Sequence, residues 1–143
     1  MDELSRLRRA IALAGEARAQ GDPPFGSLLL SGLGVVLAEE RNTTVSDRDV
    51  TAHPELKLAR WAARELTPAQ ARAASLFTSC QPCPMCAGAI ARSGLGRVVY
   101  ALSTEQLQDL KPSGSRSPDS AVIDYDGPFL LDEARGPVDG YYT

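Results

Sequence analysis

His53-Pro54-Glu55 and, further along, Pro82-Cys83-Pro84-Met85-Cys86 supply residue types that bind a divalent metal and move protons. One imidazole and a Cys-x-x-Cys pair make three soft-to-borderline ligands, with Glu55 left over as a spare carboxylate. Tetrahedral Zn²⁺ held by three protein ligands keeps one position open, as a catalytic rather than a structural site requires. His53 is the chain's single histidine, so no second imidazole competes for the role. His53, Cys83 and Cys86 are therefore expected to bind one Zn²⁺, with Glu55 as an unligated general base.

Cys80 extends the run to C-x-x-C-x-x-C. An odd count packed into so short a stretch is a poor disulfide framework and a good thiolate cluster. Because Cys80 follows Leu76-Phe77, it reads as a strand-end residue: either a small buried hydrophobe or a fourth ligand. A fourth ligand would close the site into a structural zinc knuckle. It would also crowd three ligands into one turn-sized run.

Two helix starts must converge to position this set. Residues near 53 to 66 form one helix, with Leu56, Ala59, Ala63 and Leu66 on one face. Pro84 is a good opening residue for the other, over Met85–Arg92, because its missing N–H is unneeded there. Cys83 and Cys86 then share one side of a first turn, where the helix dipole favours thiolate. Before them come a helix over 3–19, with Leu4, Leu7, Ile11 and Ala14 in a stripe, and strands over Phe25–Leu30 and Val35–Glu39. Ser31-Gly32-Leu33-Gly34 suits a hairpin between those strands, and 41–50 is polar and irregular. Further strands fall at Ala74–Ser79 and Arg97–Leu102, and a short capped helix at Thr104–Leu110. The stretch 111–118 reads as a surface loop. Val122–Tyr125 is expected as an edge strand, and the tail as a last helix with Tyr141-Tyr142 packed at its end. Helices interleaved with short strands predict a layered α/β fold.

The 143 residues make one domain, 1–143. Hydrophobic content of 43% and charged content of 23% are those of an ordinary globular protein. No apolar run approaches the ~20 residues of a membrane helix, and the charged N-terminus lacks a signal-peptide core, so a cytoplasmic protein is expected. The net charge is −3. Arg6, Arg8, Arg9 and Arg18 alternate with Asp2, Glu3 and Glu16, a solvated helix face rather than a phosphate track. A small substrate fits this balance better than a nucleic acid.

H-x-E followed by P-C-x-x-C is the signature of zinc deaminases, and the chain resembles the cytidine-deaminase-like superfamily, on the side of guanine and tRNA adenosine deaminases. The likeness spans roughly residues 5 to 103. It includes Pro24-Phe25-Gly26-Ser27, Cys83 through Ile90, and Gly96-Arg97-Val98-Val99-Tyr100. It implies a three-layer α/β/α fold with a mixed five-stranded sheet between helices, one Zn²⁺ per subunit, and a homodimer. It also implies hydrolytic deamination of a nucleobase, nucleoside or related heterocycle, of guanine or cytosine type. Glu55 would carry a proton from the attacking water to the ring nitrogen and then pass a proton to the departing amine, which leaves as ammonia. Two thiolates cancel the ion's charge, so the metal alone acidifies water less than in an all-histidine site, and the base matters more.

Among substrate contacts, the resemblance points to Asn42, whose alternative role is a loop cap, and to Phe25. Asp109, Tyr141 and Tyr142 are further candidates near the C-terminus. Two positions depart from the family pattern. Pro54 replaces the usual Ala and has no N–H to offer a substrate, so base preference is expected to differ. Gln81 replaces the usual Glu and keeps its shape without its charge. Two other readings stand beside this one. The core motif equally permits tRNA adenosine deamination, against which the acidic balance and only two lysines (Lys57, Lys111) weigh. A zinc-stabilised interaction module is the non-enzymatic alternative.

Overall fold

Alternation along two central strands decides which helices lie on which face. The computed structural model describes residues 2–142. It contains α1 (Glu3–Ala19), β1 (Gly26–Leu30), β2 (Val36–Arg41), α2 (Pro54–Glu65), α3 (Pro68–Ala73) and β3 (Ser75–Cys80). These are followed by α4 (Pro84–Ser93), β4 (Arg97–Leu102), α5 (Thr104–Leu110) and α6 (Leu131–Ala134). On one side of the sheet, Leu28, Leu30 and Phe77 pack with Ala10 of α1. On the other, Leu29 and Leu76 pack with Leu58, Ala59 and Ala62 of α2 and Ile90 of α4. Every residue of β1 is buried, as a strand covered on both faces must be. The result is α1, sheet, and α2 with α4: three layers, as expected.

The sheet order is β2-β1-β3-β4. β1 pairs antiparallel with β2 and β3, whereas β3 and β4 run parallel through the α4 crossover. The sheet is thus mixed, as expected, but it has four strands and not five. Val122–Tyr125 forms no strand, and Val122, Ile123 and Tyr125 stand exposed. So short a run gains few ladder bonds, and Pro118 and Pro128 on either side limit its extension. The expected tail packing is also absent. The helix there, α6, is a four-residue piece with no buried residue, and Gly127-Pro128, Gly136-Pro137 and Gly140 interrupt the backbone around it.

Position by position, the hairpin glycine Gly34 takes the left-handed conformation (φ 81°) that its turn demands. Gly26 is needed for a different reason: a Cβ there would meet Leu13 Cβ at 2.5 Å and the Ala10 carbonyl at 2.6 Å. α1 therefore lies directly on the start of β1. α3 was not anticipated from the sequence. Its Thr67-Pro68-Ala69-Gln70 start is a full capping box, with Gln70 N donating to Thr67 Oγ1 (3.2 Å) and Thr67 N to Gln70 Oε1 (2.9 Å). No helix among the described residues is long and apolar enough to cross a membrane.

Candidate metal centre

Both ligand motifs sit at helix N-caps. His53 is the N-cap of α2 with Pro54 at its first position, and Cys83 is the N-cap of α4 with Pro84 in the equivalent place. Neither N-cap side chain closes on its own helix, so imidazole and thiol are free to point outward. Both helices begin at the end of the sheet where the parallel strand β3 finishes, the usual place for ligands in α/β folds. His53 Nδ1 lies 3.6 Å from Cys83 Sγ and 3.5 Å from Cys86 Sγ. All three donor atoms fall within 4.8 Å of one another.

This donor set fits zinc. With Zn–S near 2.3 Å and Zn–N near 2.05 Å, a tetrahedral ion sets its S···N edges at about 3.6 Å. The two observed separations match that edge without rearrangement. Cys86 is fully buried and Cys83 half-buried. The Cys83 thiol is held well below its ordinary range by hydrogen bonds from Cys86 and His53, while the Cys86 thiol is pushed up by its bond to Cys83 and by burial. Two thiols sharing a proton in this way gain most from a cation that displaces it. His53 is shifted upward, first by Cys83 and also by the negative charges of Glu55 and Asp119.

Cys80 closes β3 on the same sheet face as Thr78, only 6% exposed. Burial pushes its thiol up, and it stands outside the three-atom cluster. That is the behaviour of a small apolar residue rather than a ligand.

Glu55 occupies the first turn of α2 and is 6% exposed. Burial pushes its carboxyl up to about 7, against the opposing pull of backbone N–H groups and His53. A cation beside it would draw the value back down. Ser27 Oγ donates to Glu55 Oε1 across 3.4 Å and lies 2.8 Å from Thr78 Oγ1. Ser27 and Thr78 were not singled out from the sequence as partners of the acid. The signal for Ser27 was a polar residue at the head of the apolar run Leu28–Leu30, whereas Thr78 stands between Phe77 and Ser79 and had none.

The irregular segment between β2 and α2 is held by side chains. Asp22 accepts from Val45 N (3.0 Å) and Ser46 N (2.8 Å), and Asp49 from Thr51 N (2.8 Å). Asn42 is buried, and its Oδ1 accepts from Thr44 N and Thr44 Oγ1, each at 2.9 Å. Its oxygen therefore serves as the loop cap, which leaves the amide nitrogen to donate elsewhere. Asn42 N donates to Phe25 O (3.0 Å), which joins the half-buried Phe25 to the same wall. Pro54 is fully buried. Gln81 Oε1 accepts from Thr104 N (3.0 Å) at the start of α5, a role that needs an oxygen but no charge.

The C-terminal candidates are placed differently. Asp109 stands exposed on α5. Tyr141 and Tyr142 are 76% and 81% exposed and meet each other in an edge-to-face pair, centroids 4.9 Å apart. Asp119, which sequence reasoning passed over, lies in the short turn Pro118–Ser120 and is near enough for its charge to act on His53.

The sequence model of the cytidine and deoxycytidylate deaminase zinc-binding region matches residues 2–102. A probable cytosine deaminase of Schizosaccharomyces pombe is 32% identical, over 98% of this chain and 92% of that protein. Guanine deaminase of Bacillus subtilis is 32% identical over 97% of this chain and 81% of its own length. The crystal structure of guanine deaminase from B. subtilis superposes with a TM-score of 0.79 at 28% identity, covering 99% of this chain and 94% of that one. A tRNA-specific adenosine deaminase of Haemophilus influenzae is 33% identical over 68% of this chain and 56% of its own.

Proposed function

The chain belongs to the cytidine and deoxycytidylate deaminase zinc-binding family, and from that premise we propose that it deaminates a free nucleobase or closely related heterocycle, guanine and cytosine derivatives foremost. The observation that carries this reading is a buried, unligated carboxylate, Glu55, in the same helix turn as one corner of a His53–Cys83–Cys86 cage. His53 through Nδ1 and Cys83 and Cys86 as thiolates would hold the ion. When bound, zinc supplies Lewis acidity at an open position, which readies a water for attack near neutral pH.

The chain's own groups do the rest. Glu55 would accept a proton from the attacking water and pass it to the ring nitrogen, then take a second proton from the newly added hydroxyl and pass it to the departing amine, which leaves as ammonia. Ser27 holds Oε1, which leaves Oε2 to face the substrate. Asn42 presents a donor: a backbone N–H can only donate, so the atom facing Thr44 N is the oxygen and the other end is NH₂. That donor suits a carbonyl or ring nitrogen of the base. Pro54 offers none, so orientation depends more on Asn42 and Phe25. Asp119 adds a carboxylate suited to an amino or ring N–H group.

A homodimer belongs to the same reading. Nine large apolar side chains from Val122 to Tyr142 are more than half exposed, and a second copy is the cover we assign them. Three free cysteines suit the reducing cytoplasm. The H. influenzae relative supports tRNA adenosine as a second substrate class, although a net charge of −3 is a poor match for a polyanion. Steep salt dependence of tRNA binding would favour it.

The test is ammonia release by zinc-loaded protein across amino-purines, amino-pyrimidines, pterins and triazines, beside Glu55→Ala. We expect turnover of at least one free base, abolished in Glu55→Ala while zinc stays bound. Silence across the panel at full zinc occupancy, or an active Glu55→Ala, overturns the reading.

A further inference from the structure

Lys57 lies one turn into α2, its backbone N–H donating to the His53 carbonyl (3.1 Å). Its ammonium spends all three protons on the strand and loop opposite. It donates to Arg41 O (2.9 Å), Thr43 Oγ1 (2.8 Å) and Glu40 Oε2 (3.2 Å). Two of these acceptors flank Asn42. The peptide unit that enters Asn42 is thereby gripped at both ends, its C=O by Lys57 and its N–H by Phe25 O. The residue that follows is gripped too, since Thr43 N donates to Ala52 O (3.1 Å) and Thr43 Oγ1 to Asp47 Oδ2 (2.6 Å).

We propose that Lys57 is a positioning residue: it ties the Asn42 donor to the helix that carries His53 and Glu55, so that substrate contact and proton carrier keep a fixed separation. The inference rests on the deaminase reading above. Its physical basis is the half-buried character of the strut, with a Lys57 side chain only 17% exposed. Charge-assisted bonds to a carbonyl and a hydroxyl in such a place are stronger than neutral ones. Their loss leaves the Arg41 carbonyl without its Lys57 donor. A loop held only by its own turn would then let Asn42 wander, and small misplacements of a substrate-orienting group are costly. Glu40 is the control, because its contact is the longest of the three, is partly exposed, and does not touch the Asn42 segment.

Lys57→Met should raise KM for the free base found in the panel by on the order of tenfold, with kcat within about twofold and zinc content unchanged. Lys57→Arg should recover part of the loss, and Glu40→Gln should leave KM alone. Amide hydrogen exchange read without substrate supplies an independent measure: Lys57→Met should deprotect the Asn42 and Thr43 amides while those of β3 stay protected. An unchanged KM with unchanged exchange overturns the proposal, and so does an equal KM rise in Glu40→Gln, which would make the effect one of net charge. If Lys57→Met does not fold, Thr43→Val removes one acceptor and should raise KM in the same direction; no change there also overturns it. A wild-type protein that turns over nothing would defeat the deaminase reading instead, while the exchange result would still judge the strut.

Discussion

Residues up to Ile90 and residues after Leu110 obey different rules. The first part builds a core of its own: Leu28, Leu29, Leu58 and Leu76 are essentially inaccessible, and His53, Cys83 and Cys86 are anchored to helices packed on that core. In the second, from Lys111 to Tyr142, no side chain is buried although Val122, Ile123, Tyr125, Phe129, Leu130 and Leu131 are as apolar as the core. Composition is therefore not what separates them. Within the body's strands and helices, apolar side chains recur at the periods that bring Leu28, Leu29, Leu58 and Leu76 onto facing surfaces. The tail clusters its apolar residues between glycines and prolines, and such a segment can be covered only by a surface it does not itself build.

The largest expected effect lies wholly in the body. Stripping metal with a chelator, or replacing Cys86 by Ser, should lower turnover by a factor on the order of 10³ or more, whereas deleting residues after Ser120 should leave zinc stoichiometry at one per chain. Metal analysis of both proteins checks this, and loss of zinc from the truncated chain would erase the division between the two parts. Next comes stability. Leu58→Ala removes a fully buried side chain between α2 and the sheet and should cost about 2–5 kcal/mol in urea unfolding. Leu131→Ala, 72% exposed, should cost less than about 0.5 kcal/mol at low protein concentration. If the tail packs on a second copy, the Leu131 deficit should grow as protein concentration rises.

That same division explains what was legible in the sequence. Most of the body's elements could be read because local pattern agrees with packing there: the span of α1, the Gly34 turn and Pro84 as a helix opener appear where expected. The α1 stripe does not, since Ala10, Leu13, Ala14 and Ala17 face the sheet while Leu4 and Ile11 are more than half exposed: small alanines let the helix lie close on β1. The convergence of His53, Cys83 and Cys86 was legible because two short motifs each map onto one helix start. α3 was missed although Thr67-Pro68-Ala69-Gln70 announces it, because a six-residue helix has no periodicity to detect. The Ser27–Glu55 contact joins residues 28 positions apart and needs the register of β1 against α2, which spacing alone does not provide. The tail misled for the reason given above, since apolar content suggested a strand and a packed helix where the described residues offer no partner surface.

A subtler division concerns where substrate choice resides. Pro54 belongs to the body and Tyr141-Tyr142 to the tail. Pro54→Ala restores an N–H at the first position of α2 and, on the proposed reading, should change the ratio of kcat/KM between purine and pyrimidine substrates by roughly tenfold, with little effect on stability because the first helical position needs no proline. Truncation after Ser120 should shift the profile less if the body sets the preference. Steady-state rates on four or five bases decide it, and an unaltered profile in Pro54→Ala would assign selection to the tail.

The smallest effect tests whether the body is uniform. Residues 42–52 are fastened less by apolar packing than by Asp22, Asp49 and Asn42. Hydrogen bonds from the Ser46 side chain and backbone hold the Asp22 carboxyl below its ordinary range. A lowered folded-state pKa means stabilisation that is complete above the unfolded value, near 3.9, and lost as pH falls through the folded one. The loop should therefore stay closed at neutral pH and loosen in acid before the sheet does. Amide exchange at Val45 and Ser46 between pH 6 and about 3 should accelerate beyond the intrinsic rate, while Leu28 and Leu76 hold their protection. Asp22→Asn should remove that pH dependence and open the loop modestly at every pH, because an amide accepts the same bonds more weakly. Equal acid sensitivity of loop and sheet would mean that the wall carrying Asn42 is as firmly built as the core, and the strut at Lys57 would then have little left to hold.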